Sequence, residues 1–134
     1  MRVYNWEARL SDYIAQVAER PFEYGVYDCA LFAAGGVEAV TGTNPAAQWV
    51  GRYQSDLAGR RHMRRAGYAD HIDCAMTMFP PIGHAMRLPG DLAVVLQGDA
   101  GALGILHGAL IYVLRPDGLG IIGIERADLI LGVR

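Results

Sequence analysis

The first half of the chain carries its apolar residues at helical spacing. Trp6, Leu10, Tyr13, Ile14 and Val17 recur three and four positions apart, which predicts an amphipathic helix over Trp6–Ala18. Arg20-Pro21 ends it, because the residue before a proline is pushed out of the helical region. Ala30–Val40 is apolar nearly all round, the pattern of a helix buried at the centre of a domain. Its Gly35-Gly36 pair costs helix propensity and points to close approach by another element. Thr41-Gly42-Thr43-Asn44-Pro45 stops this helix and turns the chain. A short helix is predicted within Ala46–Tyr53. A longer one covers Asp56–Ala66 and stops at Gly67, and a weaker one covers Ala69–Phe79 and stops at Pro80-Pro81.

Beyond Leu88-Pro89-Gly90-Asp91, a turn, the period shortens. Leu92–Leu96, Ala102–Leu106, Ala109–Leu114 and Leu119–Ile124 are short apolar or β-branched runs. A polar turn over Gln97–Gly101, further glycines and Arg115-Pro116-Asp117-Gly118 separate them. Helices first and a small antiparallel meander afterwards predict one α+β domain over residues 1–134, with the N-terminal helices packed on the sheet. No repeat, low-complexity segment or linker interrupts it.

Composition narrows the function classes. A chain of 134 residues with 52 % hydrophobic and 19 % charged residues builds one folded core and is not disordered. A net charge of −2 argues against nucleic acid as a partner. No apolar run reaches the ~20 residues of a membrane span. Glu7 and Arg9 stand where a signal peptide would be apolar, so synthesis in the cytoplasm is expected. All twelve basic residues are arginine. Four of them, Arg60, Arg61, Arg64 and Arg65, cluster in R-R-H-M-R-R with no matching acids nearby. Such a run is a solvated helix face, a protein contact or a grip on anionic polymers. The planar guanidinium fork suits a protein interface. Cys29 and Cys74 provide no disulfide framework, and a reducing compartment argues against a bridge between them. His62, His71 and Cys74 lie close enough in sequence to suggest zinc, but the ligand set is thin. No metal and no cofactor is expected.

The segment P-F-E-Y-G-V-Y-D-C-A-L-F, residues 21–32, holds the main chemical candidate. Asp28 and Cys29 precede the apolar helix, so the cysteine falls in the first helical turn. Unpaired N–H groups and the positive end of the dipole favour a thiolate there. The competing reading is a small buried cysteine that only packs. Asp28 either orients a base or caps the helix. A cysteine hydrolase also needs an imidazole and a group that orients it. His62 and His71, in the basic helical region, read as solvated. His84 lies in a loop that could line a groove. His107, in L-H-G-A-L-I-Y-V beside the predicted sheet, is the base expected from the residues. Asp91 reads as a turn residue rather than an acid.

The motifs W-E-A-R-L, R-P-F-E-Y-G-V-Y-D-C-A-L-F-A, V-T-G-T-N-P-A-A, G-R-Y, R-R-A-G-Y, P-G-D-L-A-V, A-L-G-I and P-D-G-L follow one another along the chain. Together they resemble a phage and prophage family of small tail-associated proteins, a distant branch of the NlpC-like cell-wall peptidases, and the likeness runs from Trp6 to the last residues. The resemblance implies a papain-like α+β fold and a place in a tail tip or baseplate, in contact with other tail proteins. It also implies Cys29 as nucleophile and, in the active form, cleavage of peptidoglycan peptides. The sequence departs from the active pattern H-V-G-I-Y-V-G. One register sets Ala102 where the histidine belongs; another makes His107 the base. The two positions have opposite parity on a strand, so they cannot both face Cys29. Gly120, Ile121 and Ile122 provide no polar orienting residue. A virion component with no necessary activity is therefore expected, with an active cysteine peptidase or amidase as the alternative.

Overall fold

A computed structural model describes residues 1–98 and 100–134; Asp99 of the Gln97–Gly101 turn lies outside the described residues. Four helices come first: α1 (Trp6–Val17), α2 (Cys29–Thr41), α3 (Asp56–Arg65) and α4 (His71–Met78). The Ala46–Tyr53 segment forms only a single 3-10 turn at Ala47–Trp49. Six strands follow: β1 (Pro81–Ile82), β2 (Leu92–Gln97), β3 (Ala100–His107), β4 (Leu110–Arg115), β5 (Gly118–Gly123) and β6 (Leu129–Leu131). They make one antiparallel sheet in the order β1-β6-β2-β3-β4-β5. The expected α+β architecture is thus present. The meander is correct for β2 to β5. It misses β6, which pairs Leu92 with Leu131 and Val94 with Leu129 and so enters the sheet between β1 and β2.

Three of the four helices begin on a side chain that accepts from the first turn: Asp28 from Leu31 N–H, Ser55 from Ala58 N–H and Asp70 from Asp73 N–H. Helix α2 ends at Gly42, whose φ of 83° places it in the left-handed region while its N–H returns to Glu38 O.

The core has two parts because the sheet is buried on both faces. Toward the helices, Phe32, Val37 and Val40 of α2 pack with Leu10 and Ile14 of α1 and with Leu92, Val94, Leu103 and Ile105 of the sheet. The far face holds Ala93, Val95, Leu106, Ile111, Val113 and Ile130, with Ala127 and Ile124 packed against them. The glycine pair of α2 serves the close approach its sequence suggested. A Cβ at Gly36 would stand 2.4 Å from Ile105 Cδ1, and one at Gly35 would stand 2.2 Å from the Tyr13 hydroxyl. With no side chains at these positions, α2 sits low on β3 and tight against α1.

One buried charge ties the start of β2 to residues 2 and 133–134. The Asp91 carboxylate is fully buried. It accepts from Leu88 N–H at 2.8 Å and Val133 N–H at 3.0 Å, and it pairs with Arg2 at 3.0 Å and with Arg134. Arg2 also donates to Pro89 O and Val133 O and lies over the Trp6 ring. Asp91 is a turn residue, as its sequence suggested, and also the hub of an ion-pair network.

Candidate functional site

Cys29 is the first residue of α2, and its thiol donates to Leu103 O of β3 at 3.4 Å. The expected position, a helix N-terminus facing the sheet, is present. Its electrostatics are not those of a resting thiolate. Burial pushes the Cys29 thiol up to about 11, and the nearby Asp28 charge adds to that, against the hydrogen bond to Leu103 and the more distant Arg115. Desolvation therefore outweighs the helix dipole. Alkylation of Cys29 by iodoacetamide at pH 8 should be well below that of an unperturbed thiol, with an inflection near pH 11. An inflection in the ordinary thiol range, mapped to Cys29 by mass spectrometry, would contradict this.

Asp28 beside it is buried and fully engaged. One oxygen accepts Leu31 N–H at 3.0 Å; the other accepts Gly25 N–H at 2.9 Å and the Tyr53 hydroxyl at 2.5 Å. Its bonds make it a cap and a latch; none of them reaches an imidazole. Gly25 has a φ of 80°, and a Cβ there would fall 2.0 Å from Tyr53 O. The aromatic turn can thus close on the Tyr53 segment only with glycine at this position. Burial and the Asp28 carboxylate both hold the Tyr53 hydroxyl protonated, far above the usual tyrosine range.

Asp28, Cys29 and Tyr53 line a cleft of about 490 Å³ between the start of α2, the face of α3, the start of α4, the start of β3 and the end of β4. Below it lies a smaller apolar pocket of about 50 Å3, floored by Val37, Phe79 and Leu103. The two cavities share Ala30, Trp49, Tyr53, Met63 and His71 as a common wall.

The four histidines separate clearly. His107 ends β3 with Nε2 3.4 Å from Ser11 Oγ, and it stands edge-on to Tyr112 in a different cavity, against α1. It shares the helix-facing side of β3 with Leu103 and Ile105. However, it lies four residues beyond Leu103, about 13 Å along the strand at ~3.3 Å per residue. The structure does not bring His107 to the thiol. Ala102 does line the cleft with Cys29, but its methyl group offers no base, and it packs with the far-face core. His84 meets Ala127 O at 3.2 Å, away from the cleft. His62 is half-buried, edge-on to Trp49.

His71 corrects the expectation of a solvated residue. It opens α4, directly after the capping Asp70, and lines both the cleft and the inner pocket. Its Nε2 atom is buried and, among the described residues, has no hydrogen-bond partner. Burial lowers its pKa below the ordinary value, against the pull of Asp70 and Asp28. Sequence reasoning missed it because its burial comes from α2 and α3, distant in the chain. The one local signal was Asp70, which as an N-cap fixes the next residue in the first turn.

The arginine cluster has a local acid after all. Arg60 pairs with Asp56 at 3.0 Å on the exposed face of α3, one turn apart, while Arg61, Arg64 and Arg65 are exposed. Cys29 and Cys74 are both free thiols, and Cys74 is buried in α4. No group of histidine, cysteine and acidic side chains able to hold a metal occurs among the described residues, and no helix there is long and apolar enough to cross a membrane.

No curated protein and no solved structure matches this chain. One family model does, over residues 1–133. With that match covering nearly every residue, Asp28, Cys29 and His71 included, the chain belongs to the family described as a domain of unknown function, DUF6950.

Proposed function

We propose that this chain is a tail-tip or baseplate component of a phage or prophage particle, built on an NlpC-like papain-type scaffold whose hydrolytic set is incomplete. One observation carries the loss of the usual activity. The Cys29 thiol is protonated and donates to a backbone carbonyl, and the strand that faces it presents Leu103 rather than an imidazole. The place in a tail rests on the sequence resemblance and on the exposed arginines of α3. A domain that no longer cuts acts through its surface, and Arg61, Arg64 and Arg65 offer planar donors to a neighbouring tail protein. The test has two parts. Mass spectrometry of purified particles should find the chain, and the double charge reversal Arg64→Glu, Arg65→Glu should lower its incorporation while the isolated domain stays folded. Particles without the chain, or full incorporation of the reversed variant, would overturn the reading.

A second reading, a cysteine peptidase or amidase acting on peptidoglycan peptides, is favoured by His71, an imidazole on the same cleft as Cys29. Turnover of muropeptides that disappears in Cys29→Ala would select it over the first.

A further inference from the structure

We propose that His71, on α4, is the proton acceptor for Cys29 in an acyl-transfer site that takes a short apolar acyl group. The inference rests on the second, hydrolase reading, is an alternative to the incomplete set of the first, and names a base that neither strand register contains. Three observations converge on it. Both side chains line one cleft, and His71 also walls the pocket beneath it. The buried Nε2 of His71 has no partner among the described residues, whereas most buried polar atoms are bonded. The thiol, meanwhile, spends its proton on a weak bond to Leu103 O, from which it can turn without losing a strong interaction.

The chemistry follows from two neutral groups rather than a resting ion pair. Nε2 accepts when the imidazole carries its proton on Nδ1. As the thiol approaches an acyl carbon, its proton passes to Nε2 and the sulfur lone pair forms the S–C bond. The carbonyl π pair moves onto oxygen, where the first-turn N–H groups of Cys29 and Ala30, which have no partners within the helix, point. Collapse of this adduct expels the leaving group with its bonding pair, and the imidazolium returns the proton to it. Water then attacks the thioester, giving a proton to His71, and the C–S bond breaks to restore the thiol. The inner pocket, about 50 Å3 and walled by apolar side chains, takes the acyl chain and limits its length.

The groups around His71 set the pH dependence. Burial favours the neutral ring. Asp70, Asp28 and Asp56 favour the charged one, and Arg60 opposes it. With burial dominant, the base is free throughout the neutral range and is lost only as the pH falls below the ordinary histidine value of ~6.5.

The experiment uses the full chain with p-nitrophenyl acetate, butyrate and octanoate, following nitrophenolate release and mapping the acyl adduct by peptide mass spectrometry. Acetate and butyrate should acylate Cys29 faster than octanoate does. His71→Gln should slow acylation by about 10²–10⁴-fold, the usual contribution of a general base. Free imidazole should restore part of the rate in His71→Ala, and His107→Ala should act as wild type. In the wild-type chain the rate should be flat through neutral pH and fall on the acid side. An acylation rate unchanged in His71→Gln, with Cys29→Ala inactive, would overturn His71 as the base and leave the hydrolase reading standing. The absence of any adduct on wild-type Cys29 would overturn both. Should His71→Gln fail to fold, the wild-type profile still decides. A rate that climbs continuously toward the thiol value near 11, with no plateau, would exclude a histidine base.

Discussion

Replacing Asp91 with alanine is expected to cost about 3–5 kcal/mol of folding stability, the loss that follows when one member of a buried ion pair is removed. The carboxylate is fully buried and holds two backbone N–H groups and two guanidinium groups. Without it, the Arg2 side chain, only 8 % exposed, keeps its charge in a site that no longer balances it. The Leu88 and Val133 N–H groups also lose their acceptor. Asp91→Asn should fall between wild type and alanine, since an amide oxygen can still accept but carries no charge. Urea unfolding of the three proteins checks this. A loss of under about 1 kcal/mol for alanine would place the network with exposed surface pairs, which contribute little.

Phe32→Ala should be comparably damaging, by about 3–5 kcal/mol. Phe32 is completely buried near the start of α2. Its ring stacks on Tyr13 at 5.9 Å and meets Tyr27 edge-on at 6.2 Å, and its carbonyl accepts the Tyr13 hydroxyl at 2.8 Å. The alanine variant leaves a cavity among three elements that cannot collapse together. A domain of this size has roughly 5–15 kcal/mol in total, so the loss takes a large share. Phe32→Leu, which keeps most of the volume, should lose much less. Equal losses for the two variants would mean that ring stacking, rather than filled space, is what α2 depends on. Because Cys29 lies less than one turn before Phe32, the alanine variant should also raise the alkylation rate of Cys29 as α2 loosens in its seat.

The elements legible in the sequence are those whose information is local. Apolar period and the glycine and proline stops give α1 to α4 within one or two residues, and Asp28, Ser55 and Asp70 cap α2, α3 and α4 in the fold. The Gly35-Gly36 pair announces a close packing that Ile105 and Tyr13 then fill. β1 and β6 are two and three residues long, too short to show a period, and their pairing joins positions about 50 residues apart. The site divides in the same way. Asp28 and Cys29 are visible as a cap and a first turn. His71 is not, because at the start of a weak helix it looks polar and exposed until α2 and α3 close over it. His107 stands on the correct face of its strand, and only distance along that strand separates it from Cys29, which a parity rule does not measure.

The sheet order has a consequence for how the chain reaches its native state. β6 lies between β1 and β2, so the strand nearest the C-terminus is an interior one. As the chain is synthesised, β2 to β5 can zip as neighbours, but the edge of β2 stays open until residues 129–133 arrive. Val133, Arg134 and the buried Asp91 become satisfied in that same late step. Closure by a distant segment is slow compared with hairpin pairing. In the interval, the exposed backbone of β2 is a template for the wrong partner, including the same strand of another nascent copy. A ribosome-stalled chain ending before Leu129 should therefore remain protease-sensitive and prone to association, and extension through residues 129–134 should convert it to the resistant fold.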